Sequence, residues 1–268
     1  MSRSPSAPYP TRAIVLRVRP LGEKDRILTL LSTDHGKLSA VAKGARGAKS
    51  SLAAVSQPFT LARFLLARGR SMEIVSQAAI ENAHTHIAHD LLKSAWASYL
   101  CELCDAVPEA MPEETLFHLL SIALAALDEC ESVPGETDTV GRWFEARYLS
   151  LLGYAPTLGR CVDCGVKLTA AAHDESARVA FSPLLGGNLC QGCGPRDPLR
   201  INAHVGALRA LRRLERADAP PACAELGLTT ASARDLRICL RQCMRLHLEL
   251  KLKSQVFLDE VTAAALEG

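Results

Sequence analysis

Two short cysteine motifs, Cys161-Val-Asp-Cys164-Gly165 and Cys190-Gln-Gly-Cys193-Gly194, constrain this chain more than any other feature. Paired C-x-x-C ligands fit a single tetrahedral Zn²⁺ held by four thiolates. A four-thiolate shell leaves no open coordination position, so the ion braces a fold and activates no water. Each pair ends in glycine, which is expected to take the positive φ that turns backbone N–H groups toward the sulfurs. The stretch between the pairs is longer than the commonest ribbon spacing, but closure entropy grows only slowly with loop length. Cys161, Cys164, Cys190 and Cys193 are therefore the expected ligands of a structural Zn²⁺ in a knuckle spanning residues 158–197. A redox or disulfide pairing of the same cysteines is the competing reading.

The composition bounds the rest. With 268 residues, 48% of them apolar, the chain exceeds one typical domain and can fill buried cores, so two domains are expected. Residues 1–10 carry Arg3 and three prolines without an apolar core segment and read as a loose tail rather than a secretory signal. No run approaches membrane-spanning length. Ten cysteines without an export signal point to a reducing compartment, and so to a cytoplasmic protein with no membrane partner.

A formal charge of +2 hides a segregation. Residues 1–80 hold 13 Lys or Arg against 4 acids, residues 81–140 hold 1 against 12, and residues 141–268 hold 17 against 13. A basic module followed by an acidic one suggests a polyanion partner for the first and a protein for the second, with a plain solvated surface as the alternative.

Short β-rich runs fill residues 11–82: Ala13 to Val18, Arg26 to Leu31, Lys37 to Ala42, Phe59 to Leu66 and Met72 to Ile80. They are punctuated by Asp34-His-Gly36, by a longer loop opened at Gly44 and Gly47, and by the tight turn Arg68-Gly-Arg70. Five such strands suit an OB-type Greek-key barrel, a scaffold that binds oligonucleotides and oligosaccharides; an SH3-like barrel is the nearest alternative. After Asn82 the period becomes helical, with Ile87, Leu91, Leu92, Ala95, Tyr99, Leu100 and Leu103 on one face. Further helices are expected from Pro112 through Leu116 to Cys130, over Val140 to Leu152 with Trp143, Phe144, Tyr148 and Leu151 inward, over Ala203 to Arg216, and over Ala231 to Leu252. The expected class is α+β: a five-stranded OB-type barrel in residues 1–82, then an α-helical domain in residues 83–268 carrying the inserted four-cysteine knuckle.

The loop after the third strand, Lys43-Gly-Ala-Arg46-Gly-Ala-Lys49, spaces three cations among small residues that let a phosphate backbone come close. Arg17, Arg19, Lys24, Arg26 and Lys37 lie in neighbouring segments and are expected to join them as a nucleic-acid footprint weakened by salt. Stacking aromatics are few, since Phe59 and Phe64 read as core, so phosphate contacts should dominate over base preference. Two later helices carry arginine stripes, Arg209, Arg212, Arg213 and Arg216 on one, and Arg234, Arg237, Arg241 and Arg245 on the other. Leu236, Leu240, Cys243, His247 and Leu250 mark the buried side of the second. These stripes are a candidate surface for an acidic, hydrophobic-ended peptide or for more nucleic acid.

Cys101-Glu-Leu-Cys104 lies within an amphipathic helix and reads as core thiols, as do Cys239 and Cys243. His173-Asp-Glu175 ahead of the second knuckle matches zinc deaminases only superficially, because no proline precedes Cys190 and Cys161 with Cys164 completes the metal shell. No catalytic residue and no small-molecule substrate are read from the sequence.

Gly22-Glu-Lys-Asp25, Gly36-Lys-Leu, Ala42-Lys-Gly-Ala-Arg46, Tyr99-Leu-Cys-Glu-Leu103, Phe144-Glu-Ala-Arg147, Leu152-Gly-Tyr-Ala-Pro156, Phe181 to Cys193 and Leu252-Lys-Ser254 together resemble the bacterial RecO family of recombination mediators over nearly the full length. The resemblance implies an OB domain, a helical domain and, in many members, a four-cysteine zinc knuckle. It further implies a nonenzymatic protein that binds single- and double-stranded DNA and anneals complementary strands. Such a protein would associate with RecR and with the acidic C-terminal tail of single-stranded-DNA-binding protein, help load RecA at gaps, and reside at the nucleoid. Lys43, Arg46 and Lys49 match the family's basic loop by position. A zinc-stabilised scaffold, such as a transcription-associated adaptor whose barrel touches protein or RNA, is the alternative.

Overall fold

The computed structural model describes residues 7–47, 49–106, 113–168, 175, 177–248 and 251–267. The expectations for Arg3, Pro112, His173 and Leu250 fall outside them. The chain divides into two compact units, residues 1–134 with 252–268, and Gly135–Lys251.

In the first unit, strands β1 (Tyr9–Leu21), β2 (Asp25–Ser32), β3 (Gly36–Ala42), β4 (Leu61–Ala67) and β5 (Glu73–Asn82) close into a barrel of order β1-β2-β3-β5-β4. The expected OB-type barrel is therefore present. A short helix, α1 (Leu52–Val55), lies between β3 and β4. Closure rests on β1, which pairs with β4 through Tyr9–Ile14 and with β2 through Ala13–Leu21. A register shift between Val15 and Arg17 bends the strand from one partner to the other. The strand begins at Tyr9, inside the stretch expected to be a tail. Alternation sends Ala13, Val15, Leu28, Leu30, Ala40, Ala42, Ala62, Phe64, Leu66 and Val75 inward, and Val55 of α1 joins them. Phe64 is the core aromatic among these, whereas Phe59 sits outside β4 at φ 69° and is only half-buried.

The outward face of β1 and β2 is apolar as well, through Ile14, Leu16 and Leu31, all buried. Beyond the short α2 (Thr85–Ala88), helices α3 (Leu91–Ala106) and α4 (Glu113–Glu129) pack on β1, β2 and β3 and cover it. Asp90 caps α3 by accepting the Lys93 amide at 2.8 Å. The helix is buried on almost every side, Trp96, Tyr99, Leu100 and Leu103 included, because it also packs against α9 (Lys253–Glu267). Cys101 and Cys104 are buried free thiols in it, and burial foremost pushes both well above the ordinary thiol value. Element type thus changes at Asn82, while compact packing carries the first unit on to Pro134.

The second unit starts with α5 (Pro134–Leu151), where proline suits the first helical position. It ends at Gly153, φ 83°, with the Tyr154 amide donating to the Leu149 carbonyl at 2.8 Å. Trp143, Phe144 and Tyr148 are buried as expected, and Trp143 Nε1 donates to the Ala217 carbonyl at 2.9 Å. A small sheet of order β7-β6-β8 follows, from β6 (Arg178–Ser182), β7 (Gly187–Leu189) and β8 (Ile201–His204). Then come α6 (Val205–Arg216), α7 (Cys223–Leu226) and α8 (Thr230–Leu248). The sheet is absent from the sequence reading, and Ala203, expected as the first residue of a helix, belongs to β8. The helix expected to run from Ala231 to Leu252 is described over Thr230–Leu248, Lys251 and Leu252 are not helical, and α9 is an unforeseen additional element.

Glu102 on α3 holds the start of α9, accepting hydrogen bonds from the Ser254 amide at 2.8 Å, the Lys253 amide at 3.2 Å and Ser254 Oγ at 2.5 Å. Burial pushes its carboxyl up, but the bonds from Ser254 and Lys253 outweigh that and hold it below the usual value. A carboxyl lowered by folding stabilises the fold above its unfolded value, about 4.3, and loses that contribution as pH falls through the folded value. Glu102→Gln should lower stability by about 1 kcal/mol near neutral pH and raise amide exchange at residues 253–258. The difference between variant and wild type should shrink on acidification below about pH 4. Exchange mass spectrometry across that range checks both.

Candidate nucleic-acid interface and metal centre

Barrel closure sorts the N-terminal cations into two groups. Arg12 and Arg63 both reach Glu81, each Nε at 2.6 Å from a carboxylate oxygen. Burial raises the Glu81 carboxyl, yet the hydrogen bonds from Arg12 and Arg63 more than offset it and hold the group below its usual value. Arg17 Nη2 lies 2.8 Å from Oδ2 of Asp105 at the end of α3. Lys37 Nζ lies 3.7 Å from Oδ1 of the same residue and donates to its carbonyl. These four cations are answered by acids of the chain itself.

Arg19, Lys24, Lys43, Arg46 and Lys49 are exposed and, among the described residues, meet no carboxylate within salt-bridge distance. All belong to one end of the barrel. The β1–β2 turn and the loop after β3 are tied there by the Arg46 amide on the Lys24 carbonyl at 2.9 Å and by Arg46 Nη1 on the Gly22 carbonyl at 2.7 Å. The Gly44 amide adds a bond to Asp25 Oδ1 at 2.8 Å. Arg26 serves the scaffold, its Nη1 donating to the Ser56 carbonyl at 3.0 Å and so anchoring the end of α1. Of the eight cations expected at the interface, Lys24, Lys43, Arg46 and Lys49 therefore gather on paired loops with no carboxylate partner among the described residues, Arg19 stands at the adjoining end of β1, Arg26 braces the loops, and Arg17 and Lys37 lie apart on Asp105.

In the second unit the four cysteine Sγ atoms lie within 4.8 Å of one another. A tetrahedral centre with metal–sulfur bonds of about 2.3 Å has sulfur–sulfur edges of about 3.8 Å. The Cys164–Cys190 edge measures 3.8 Å, and all four residues are free thiols. The donor set therefore fits a metal ion. Both knuckles fold alike: the Gly165 amide donates to the Cys161 carbonyl and the Gly194 amide to the Cys190 carbonyl, each at 2.9 Å. Burial pushes Cys161 up, but amides of Cys164, Cys190 and Asp163 outweigh it and bring the thiol to about 6. Hydrogen bonding from Cys193 lowers Cys190 as well. Only Gly165, φ 75°, has the expected positive φ. Gly194 starts a 3-10 turn, and it is small for another reason, since a Cβ there would meet Ala180 Cβ at 3.1 Å.

The arginine stripes are partly spent within the second unit. Arg209 Nη1 lies 2.6 Å from Glu175, Arg213 pairs with Glu225, and Arg237 Nη2 lies 3.6 Å from Asp138. Arg212, Arg216, Arg234 and Arg245 are exposed, and Arg241 is half-buried. Leu236, Leu240 and Cys243 do form the buried side of α8, while half-buried His247 stacks on Tyr154 with ring centroids 4.4 Å apart.

Residues 7–84 match the family described as Recombination protein O N terminal, and residues 88–255 the family described as Recombination protein O C terminal. The chain belongs to the RecO family. Proteins named DNA repair protein RecO resemble it along nearly their whole length. That of Symbiobacterium thermophilum is 35% identical over 96% of this chain and 98% of its own. Those of Pelotomaculum thermopropionicum and Desulforudis audaxviator are 37% and 36% identical, each over 94% of this chain and over 93% and 97% of their own. This is a RecO-family DNA repair protein.

Among the described residues of this RecO-family chain no helix is long and apolar enough to cross a membrane. The sequence reading takes Arg68 and Arg70 as a tight turn and leaves them out of the nucleic-acid footprint; both are exposed in the β4–β5 connection. Their position between the fourth and fifth strands is the available signal, because OB barrels bind ligands with that loop and with the β1–β2 turn. It also leaves out Asp105 and the Arg196–Asp163 pair, Nη2 to Oδ2 2.8 Å, which no spacing rule connects.

Gly187 opens β7 where the first knuckle's chain crosses it, and a Cβ there would fall 2.3 Å from the Thr157 carbonyl oxygen and 2.5 Å from Val162 Cγ1. Gly187→Ala should therefore destabilise the second unit by about 2 kcal/mol or more, as overpacking does. Gly186→Ala, at φ 70° with open space around it, should cost only about 1 kcal/mol. Denaturant titration of the two variants checks the order.

Proposed function

We propose that the chain is a nonenzymatic recombination mediator: it binds single- and double-stranded DNA, anneals complementary strands, and helps load RecA on gaps coated with single-stranded-DNA-binding protein. The gathering of Lys24, Lys43, Arg46 and Lys49 on two hydrogen-bonded loops, with Arg19 at the adjoining end of β1, carries this reading. Annealing brings two polyanions together, so their repulsion must be screened while the base edges stay free. Cations that grip the sugar-phosphate backbone supply both conditions. Arg68 and Arg70 adjoin the start of β1, where Tyr9 pairs with Leu66, and so offer phosphate contacts at the other end of that 13-residue strand.

In this reading residues 1–82 make the DNA contacts and partners meet residues 83–268. The tail of single-stranded-DNA-binding protein and RecR would engage Arg209, Arg212, Arg213, Arg216, Arg237, Arg241 and Arg245, with Arg212, Arg216 and Arg245 foremost because they are exposed and meet no carboxylate among the described residues. DNA as ligand accords with a cytoplasmic, nucleoid-associated location. Cys161, Cys164, Cys190 and Cys193 would hold Zn²⁺, which would supply charge and geometry there and no chemistry, because four thiolates would complete its shell.

Changing Lys43, Arg46 and Lys49 together to alanine should slow annealing of complementary oligonucleotides at moderate salt. It should also reduce the slope of log affinity against log salt by roughly 2 to 3. Unchanged annealing would refute the loop mechanism. Because Arg46 also ties the loops, Lys24→Ala with Lys43→Ala provides a variant that leaves that tie intact and should show the same direction.

Cys161→Ser should lower the zinc content and loosen the second unit, since metal-binding free energy is folding free energy in such modules. DNA affinity should largely survive. Metal analysis, thermal unfolding and gel shift on the same preparation separate the two effects.

A further inference from the structure

The four cysteines share one centre but not one environment. Cys161 and Cys193 are 2% and 4% exposed, whereas Cys190 is half-buried and Cys164 is open to solvent. Arg196 covers the buried side: its Nη2 donates to Cys193 Sγ at 3.0 Å and to Asp163 Oδ2 at 2.8 Å, tying the second knuckle to the first. A guanidinium bonded to a thiolate withdraws charge from it and shields it. Neither Cys164 nor Cys190 has such a cover among the described contacts, and their sulfurs stand 3.8 Å apart.

We propose that the Cys164–Cys190 edge is an oxidation site, at which hydrogen peroxide joins the two knuckles by a disulfide and the metal leaves. Thiol oxidation follows thiolate character and access. Metal ligation would make all four sulfurs thiolates, so access and the Arg196 bond decide among them: access places Cys164 first, and the Arg196 bond sets Cys193 apart. The Cys164 thiolate attacks one peroxide oxygen, the O–O bond breaks, and the departing hydroxide takes a proton from solvent to leave as water. The Cys190 thiolate then attacks the sulfenic sulfur, the S–O bond breaks, and a second hydroxide leaves as water after taking another proton. Two thiolates lose two electrons and one peroxide gains them. The sulfurs must close from 3.8 Å to the disulfide length of about 2.05 Å, and the exposed Cys164–Gly165 turn is where the backbone can yield. Two thiolates remain, too few to keep a structural ion.

The inference rests on the metal reading of the site and is independent of the DNA reading. Its test treats the full-length, metal-loaded chain with hydrogen peroxide in steps, quenches with an alkylating agent and maps each cysteine by mass spectrometry. A chromogenic chelator reports released zinc, and the metal content before treatment tests the metal reading separately. One Cys164–Cys190 disulfide should form per zinc released, with Cys161 and Cys193 recovered as alkylated thiols. In Arg196→Ala, Cys193 should oxidise faster, by roughly tenfold, and disulfides involving it should appear. Arg196→Lys should restore part of the protection. The proposal fails if the first disulfide forms within a knuckle, if all four cysteines react at one rate, or if zinc stays bound while Cys164 and Cys190 are joined. Should Arg196→Ala not fold, graded alkylation of the wild-type chain decides the same question: Cys164 should react before Cys190, and both before Cys193, and any other order overturns the proposal.

Discussion

The first unit depends on a single strand serving two neighbours. Because β1 pairs with β4 along its first half and with β2 along its second, the barrel closes without a free edge at that strand, and its ends are fixed in space. The β1–β2 turn and the loop after β3 then have one place to go, and Arg46 fastens them to each other there. A bend at Val15 and Arg17 makes this possible. Without it, thirteen residues of regular strand could not follow both partners.

Charge within the molecule then decides which cations face outward unspent. Glu81 engages Arg12 and Arg63, and Asp105 engages Arg17 and Lys37, so each acid offsets one charge of its two cations on the sides of the barrel while the cations of the loop end meet no carboxylate among the described residues. Exposed ion pairs contribute little to stability. Their larger effect here is on the pattern of potential, which is narrower than the count of basic residues suggests.

Much of this was legible in the sequence where the determinants are local. β-rich runs between regular turn residues placed the five strands to within a few residues, and the two cysteine knuckles stood out because each is four residues long. The basic loop was visible for the same reason. What escaped was set by residues far apart. Asp105 meets Lys37 from 68 positions away, and Glu102 meets Ser254 from 152, so no window could pair them. Strands β6, β7 and β8 have 5, 3 and 4 residues, too short to show a period between turns. The glycine after the second knuckle was read for its backbone freedom, whereas Ala180 makes its lack of a side chain the relevant property.

The bond between Glu102 and the start of α9 has a consequence for how the chain is made. Residues 135–251 are interposed between two parts of one compact unit, so α3 emerges from the ribosome long before the helix that covers it. At synthesis rates of about 5–20 residues per second, that side of α3 waits several seconds for its cover. The second unit, contiguous in sequence, needs no such delay. Translation order therefore favours the contiguous unit finishing first, leaving an apolar helix face on the other uncovered until α9 arrives.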